Sequence, residues 1–143
     1  MRKERALQAQ TCASEIGHGA AMDQPLPSHP ELTRELEFLR DHDGREYRAV
    51  AHAIRVLWTT VAQLGFPYTS AIRTSGNITL RELRPRRGRS RYRVLYAPRH
   101  PAPILLALAP EASHNPRGFQ RSVGEAIDRL AEYDQEHDND ICN

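Results

Sequence analysis

The strongest constraint on the fold is one segment, residues 45–64, whose apolar side chains recur at helical spacing. These side chains are Tyr47, Val50, Ala51, Ile54, Leu57, Trp58, Val61 and Leu64. The spacing places them along one side of an α-helix and predicts that this side, Trp58 included, packs in a core. Gly65 and Pro67 follow and are typical of a helix end.

A shorter helix is predicted over residues 31–40, because Leu32, Leu36 and Leu39 form one stripe directly after Pro30. The polar cluster at 41–44, Asp-His-Asp-Gly, predicts a break before the long helix begins. Two consecutive helices therefore precede the rest of the domain.

The periodicity changes after a predicted loop at residues 70–77. Three short runs, 78–84, 91–97 and 103–108, have the composition of strands, and proline-containing turns separate them. In the middle run, alternation places Tyr92, Val94 and Tyr96 on a face that packs in the core and leaves Arg91, Arg93 and Leu95 on the opposite face, with the arginines in water. A last helix is predicted over 118–133, with an apolar side formed by Phe119, Val123, Ala126, Ile127 and Leu130.

This order predicts an α+β fold in which two N-terminal helices pack on a small antiparallel β-meander that a C-terminal helix follows. Residues 31–133 form the domain, residues 1–30 a flexible N-terminal arm, and residues 134–143 an acidic C-terminal tail. Neither a signal-peptide core nor a run of about 20 apolar residues is present, so we expect a cytoplasmic protein without a membrane partner. Cys12 and Cys142 lie near opposite ends and suggest neither a disulfide framework nor a metal site.

Charge is segregated along the chain. Between residues 73 and 99 there are nine arginines and a single acid, Glu82. The balance reverses in residues 125–140, where seven acids accompany only Arg129. The basic stretch predicts an anionic partner, with nucleic acid as the leading candidate, and a merely solvated arginine-rich surface is the alternative.

Three short elements of the basic stretch resemble a known family. Leu-Arg-Glu-Leu-Arg at 80–84, Ser-Arg-Tyr-Arg-Val-Leu-Tyr at 90–96 and Ile-Leu-Leu at 104–106 occur in the order found in the HigB branch of the RelE/ParE toxin superfamily. The resemblance covers roughly residues 47–133. It implies a RelE-like fold and the activity of the HigB and RelE branches, which cleave messenger RNA in the ribosomal A site. It also implies an endoribonuclease without a metal or cofactor, inhibited by a cognate helix-turn-helix antitoxin.

RNA cleavage by its own 2′-hydroxyl requires a base, cations that stabilise the phosphorane, and an acid for the leaving oxygen. Arg84 and Arg93 match positions where the family's motifs carry functional arginines, and guanidinium groups suit the phosphorane. His114 is the nearby group whose ordinary pKa suits proton transfer, and Arg117 is expected to add a phosphate contact. These four residues are the predicted catalytic set.

A second set is predicted to bind RNA without taking part in the chemistry. The arginines are expected to contact phosphates, and Phe119 to stack on a base. The set consists of Arg81, Arg86, Arg87, Arg89, Arg91, Phe119 and Arg121.

The chain departs from the family in two places. No tyrosine stands where the RelE branch has one. Family members also begin with a strand, and none is evident before Glu31, so either the proline-rich arm supplies an irregular edge strand or the sheet lacks one.

Two other functions and one structural alternative stay open. The same scaffold could act as a ParE-like gyrase poison without catalysis, or as a nucleic-acid-binding protein that has lost cleavage. Arg84 and Arg93 could also be exposed strand arginines that pair with Glu82.

Overall fold

The computed structural model describes residues 26–60 and 64–139. Within these residues, three α-helices and four strands follow one another in the predicted α+β order, with a short 3-10 turn at Pro85–Gly88 between the second and third strands. Their bounds are α1 Pro30–His42, α2 Gly44–Thr60, β1 Thr69–Ile72, β2 Leu80–Leu83, β3 Tyr92–Ala97, β4 Ile104–Pro110 and α3 Pro116–Asn139. Cys12 and Cys142, and the first 25 residues of the predicted arm, lie outside the described part of the chain.

Helices α1 and α2 meet at a single residue, Asp43. Its backbone N–H donates to the carbonyl of Leu39 and closes α1, while its side chain accepts from the backbone N–H of Glu46 (3.2 Å) and caps α2. The predicted break at 41–44 is therefore narrower than expected, since α1 extends to His42 and α2 already begins at Gly44.

The strands form one antiparallel meander in the order β1-β2-β3-β4. Sequence analysis predicted three strands and wrongly assigned most of β1 to a loop. The strand is four residues long, and Thr-Ser-Ala-Ile carries almost no alternation of polar and apolar side chains. Its pairing with β2, Thr69 opposite Leu83 and Ile72 opposite Leu80, therefore determines its conformation.

Both faces of the central strands are covered. Helices α1 and α2 pack on the face that carries Leu83, Val94 and Tyr96, while α3 packs on the face that carries Leu95 and Ala107. The core position predicted for Tyr96 is confirmed. The prediction that Arg93 lies in water is wrong, because its side chain is only 3% exposed.

Trp58 also differs from the prediction. It lies at the flank of the α2 stripe and is 47% exposed, whereas Val50, Ile54 and Leu57 fill the interior. The apolar stripe of α2 is thus narrower than its sequence indicates.

The outer edge of β4 is closed by polar groups. The backbone of Pro27 and His29 bonds to Leu105 in a short parallel bridge centred on Ser28, so the last residues of the predicted arm supply the irregular edge pairing considered from the sequence.

A buried ion pair closes the rest of that edge. Arg129 of α3 donates to Glu35 of α1 (2.9 and 3.1 Å) and to the carbonyl of Leu106 (2.9 Å), and Glu35 accepts from the N–H of Leu108 (3.0 Å). Burial by itself lowers the pKa of Arg129, but the hydrogen bonds and charge of Glu35 outweigh it, and the pKa is raised. The pair connects the two helical layers around the sheet.

Helix α3 continues to Asn139, six residues beyond its predicted end at Tyr133. Asp134, the first residue of the predicted acidic tail, forms a bidentate ion pair with Arg99 in the β3–β4 connection. Residues 140–143 lie outside the described part. In the ranges that the structure covers, no helix combines the length and apolarity needed to cross a bilayer.

Candidate nucleic-acid interface

The predicted site residues gather mainly at one end of the sheet. The turn 84–91 joins β2 to β3 there, and β4 ends beside the start of β3, with Arg93 opposite Ala109. The loop 111–115 and the first turn of α3 therefore lie at the same end, and the backbone N–H of Glu111 donates to the carbonyl of Arg91 (2.8 Å). We call residues 84–91 and 111–117 together the basic end of the sheet.

The turn has an unusual backbone that displays its arginines. Arg86 and Arg87 have φ angles of 57° and 58°, in the left-handed region that side chains larger than glycine seldom adopt, and Gly88 follows at 92°. A Cβ at Gly88 would lie 2.4 Å from Nη2 of Arg84, so only glycine lets that guanidinium lie against the turn. Arg86 and Arg87 are thus held in a strained conformation, whereas Gly88 adopts its positive φ without steric cost.

The buried side chain of Arg93 supports the backbone of this turn. Its guanidinium donates to the carbonyls of Ser90 (2.8 Å), Tyr92 (2.9 Å) and Gly88 (3.0 Å). Burial, together with the neighbouring charge of Arg84, lowers the pKa of Arg93, and Glu82 opposes this only in part. Its donors are directed into the turn, so the geometry favours a positioning role for this residue over direct contact with RNA.

Glu82 holds two of the arginines together. One of its carboxylate oxygens accepts from Nη1 of Arg84 (3.0 Å) and from the hydroxyl of Ser70 (3.1 Å), and lies 3.6 Å from Nε of Arg93. The pairing with Glu82 considered from the sequence is therefore present. Both arginines, however, are largely buried rather than exposed.

Arg84 also ties the turn to the loop before β1. Its Nε donates to the carbonyl of Pro67 (3.1 Å), and its backbone N–H donates to the carbonyl of Tyr68 (2.7 Å). Its guanidinium carbon lies 5.3 Å from the centroid of the Phe66 ring, and that of Arg87 lies 5.8 Å from the Tyr68 ring.

Glu46, near the start of α2, anchors the other side of the turn. Its buried carboxylate accepts from the hydroxyl of Ser90 (2.7 Å) and pairs with Arg86 (3.1 Å). Among the described residues, no carboxylate comes within ion-pair distance of Arg87, Arg89 or Arg91, the remaining arginines of the turn. These three exposed cations are available to an anion.

Glu111 organises the loop that carries His114. It accepts from the hydroxyl of Ser113 (2.6 and 2.7 Å) and from the backbone N–H groups of Ser113 and His114 (3.0 and 2.9 Å). The pKa of Glu111 is lowered, chiefly because it accepts these hydrogen bonds from Ser113. His114 itself is exposed, and Arg117 is exposed in the first turn of α3, whose N-terminus Asn115 caps.

Three predicted RNA contacts lie elsewhere or have another role. Arg81 is on the face of the sheet opposite Glu82, where it donates to the hydroxyl of Thr69 (2.8 Å). Arg121 is exposed on α3, beyond the basic end. Phe119 is 6% exposed and packs in the core under α3, so the prediction that it stacks on a base is wrong.

Sequence reasoning treated Gly65 and Pro67 only as helix terminators and missed the aromatic residues Phe66 and Tyr68 between and after them. Nor did it predict that Glu46 supports the turn from a helix about forty residues earlier in the chain, because such a contact leaves no local pattern. The aromatic residues flanking Pro67 were a visible signal.

Comparison with known protein families, with curated proteins and with solved structures finds no match to this chain.

Proposed function

We propose that this chain is a RelE/HigB-like toxin that binds messenger RNA at the basic end of its sheet and cleaves it on the ribosome. The observation that carries the proposal is the exposed trio Arg87, Arg89 and Arg91, held on a turn that buried groups brace from both sides. Cationic side chains that project from a held backbone and have no carboxylate partners suit a phosphate backbone. The sequence resemblance supplies the cleavage and the antitoxin partner.

In this proposal the chemistry needs only the RNA, the side chains around it and water. The 2′-oxygen attacks the adjacent phosphorus, the bond from phosphorus to the 5′-oxygen breaks, and a cyclic phosphate remains. His114 accepts the proton of the attacking 2′-hydroxyl, a water molecule protonates the leaving 5′-oxygen, and Arg84 and Arg117 stabilise the charge on the phosphorane oxygens. Arg93 acts through the turn as a positioning residue.

A second candidate is a nucleic-acid-binding protein without cleavage. It is favoured by the engagement of Arg84 with Glu82 and Pro67, because those contacts already use its Nε and one of its Nη atoms. It retains the same interface and predicts binding without new RNA ends.

The test adds purified protein to translating ribosomes with a defined messenger and maps new 5′ ends by primer extension. Wild type is compared with His114→Ala, with Arg87→Ala/Arg89→Ala and with Arg34→Ala, a control at an exposed helical arginine paired only locally with Glu31. We expect ribosome-dependent cuts by wild type and the control, a loss of about 100-fold or more in His114→Ala, typical of a removed general acid or base, and a smaller loss in the double variant.

An intact messenger would refute the nuclease. If growth arrest persisted in cells, the gyrase-poison alternative would be favoured. If arrest were absent but RNA still bound, the chain would be a binding protein without cleavage.

A further inference from the structure

Two aromatic side chains stand in solvent beside the basic turn. Phe66 is 76% exposed, the largest fraction among the exposed large apolar residues of the described chain, and Tyr68 is 39% exposed. Both belong to the loop that precedes β1, on either side of Pro67. Isolated exposed apolar residues are ordinary on protein surfaces, so exposure alone would carry no argument.

Their contacts distinguish them from the other exposed aromatic residues, Phe38 and Trp58. Phe38 stacks on His42 within its own helix. The rings of Phe66 and Tyr68 instead each lie near the guanidinium of an arginine in the turn, Arg84 for the first and Arg87 for the second. Aromatic rings are thus paired with cations along one loop.

The loop is also held in place. Arg84 donates from its side chain to the carbonyl of Pro67 and from its backbone to the carbonyl of Tyr68. The backbone N–H groups of Tyr68 and Thr69 donate to the carbonyl of Gly65 (2.9 and 3.0 Å). The two rings are therefore presented on a hydrogen-bonded turn that is connected to the basic end of the sheet.

We infer that Phe66 and Tyr68 form a stacking surface for two unpaired nucleobases, while the neighbouring arginines contact the phosphates that join them. This inference rests on the proposed RNA binding and adds the surface on which the unpaired bases stack. Aromatic rings combined with arginines are the elements that bind single-stranded nucleic acid without reading its sequence, because every base has a π-face. A duplex keeps its bases stacked on one another and cannot use the rings in this way.

A protein partner with an apolar patch is the other occupant that exposed rings could accept. Arg87, next to Tyr68, has no described carboxylate within ion-pair distance and favours the nucleic acid, since a phosphate would pair with its charge and an apolar patch would not. The experiment separates these occupants.

The test measures binding of a single-stranded 2′-O-methyl oligonucleotide of about ten nucleotides, within the range of site sizes for single strands. The 2′-O-methyl group prevents cleavage, and two adjacent 2-aminopurines report stacking through fluorescence quenching. The variants are Phe66→Leu and Tyr68→Leu, which remove the ring and keep an apolar side chain, with Phe38→Leu and Arg87→Ala as controls. Affinities are determined over a series of salt concentrations, and thermal unfolding checks that each variant is folded.

We expect each ring variant to bind about tenfold more weakly, within the range for one base stacked on an aromatic ring, and to lose quenching. Because no phosphate contact is removed, the slope of log K against log salt should match wild type. Arg87→Ala should instead reduce the magnitude of that slope by about 0.7, and Phe38→Leu should behave as wild type. A duplex of the same sequence should bind wild type more weakly and should not distinguish the ring variants from it.

Ring variants that bind and quench like wild type would overturn the inference while leaving the proposed function intact, and would leave the rings as a protein-contact surface. Equal, ring-dependent binding of the duplex would overturn it as well. If wild type binds no oligonucleotide at all, the failure lies with the proposed function.

Discussion

Arg93→Ala should reduce stability far more than substitution of the exposed arginines of the turn, Arg87, Arg89 and Arg91. The substitution removes three charged hydrogen bonds to the carbonyls of Gly88, Ser90 and Tyr92. Two of the three bonds share Nη1, so we count two charged donors at about 1.5 kcal/mol each, which gives about 3 kcal/mol. Glu82 keeps its ion pair with Arg84 and loses only the neighbouring charge of Arg93, 3.6 Å away, which adds a smaller electrostatic loss, so we expect about 3–4 kcal/mol in all. This is a large part of the roughly 5–15 kcal/mol that stabilises a typical domain.

Urea unfolding followed by circular dichroism measures this loss as a lower transition midpoint at an unchanged slope. Arg93→Lys keeps the charge but cannot reach all three carbonyls, and it should recover about half of the lost free energy. Arg87→Ala, at an exposed position, should stay within about 0.5 kcal/mol of wild type while weakening RNA binding. If Arg93→Ala unfolded at the wild-type midpoint and yet abolished cleavage, Arg93 would contact the RNA directly and the positioning role would be wrong.

Three further predictions concern the supports of the site and the fold. Because folding lowers the pKa of Glu111 below its ordinary value of 4.5, the ionised carboxylate stabilises the fold fully above pH 4.5, and this stabilisation is lost as the pH falls through the lower folded-state pKa. The free energy of unfolding of Glu111→Gln, measured with urea between pH 3 and 7, should therefore depend less on pH in the acid range than that of wild type. Parallel curves for the two proteins would contradict this. Gly88→Ala should lower the free energy of unfolding by about 1–2 kcal/mol, because residue 88 has a positive φ and the added Cβ displaces Arg84. Thermal unfolding measures this loss of stability, and an unchanged melting temperature would argue against the turn geometry. Glu35→Ala should cost about 2–3 kcal/mol, less than a fully buried pair because the Glu35 side chain is 29% exposed, and a urea midpoint equal to wild type would show that Arg129 finds another partner.

The elements that sequence could predict are those with a local pattern. In α2, the apolar residues Val50, Ile54 and Leu57 recur at helical spacing, and all three are buried. Strand β1 has no such pattern and depends on β2, so its position could not be inferred from four residues. The end of α3 was missed because polar residues after Tyr133 indicate a solvent-exposed segment but do not exclude a helix.

At the candidate site, the sequence predicted most of the residues that gather at the basic end but wrongly added Arg81, Arg121 and Phe119, and it did not predict what each residue does. Alternation along β3 assigns Arg93 to the face opposite Tyr92 and Tyr96, and that assignment holds. Alternation cannot reveal that backbone carbonyls of the turn accept hydrogen bonds from this side chain. For Phe119, the helical spacing with Val123 indicated a core position, whereas the family resemblance suggested a base contact. The structure agrees with the helical spacing.

The central claim is that the basic end of the sheet binds an RNA backbone, and the salt dependence of binding tests it most directly. The affinity of the full chain for a single-stranded 2′-O-methyl oligonucleotide is measured between about 50 and 200 mM salt for wild type and for Arg87→Ala/Arg89→Ala/Arg91→Ala. We expect the variant to bind more weakly and its slope of log K against log salt to be smaller in magnitude by about 2, since each lost phosphate contact on a single strand removes about 0.7. An affinity and slope equal to those of wild type would contradict the account and place any RNA contact elsewhere on the molecule.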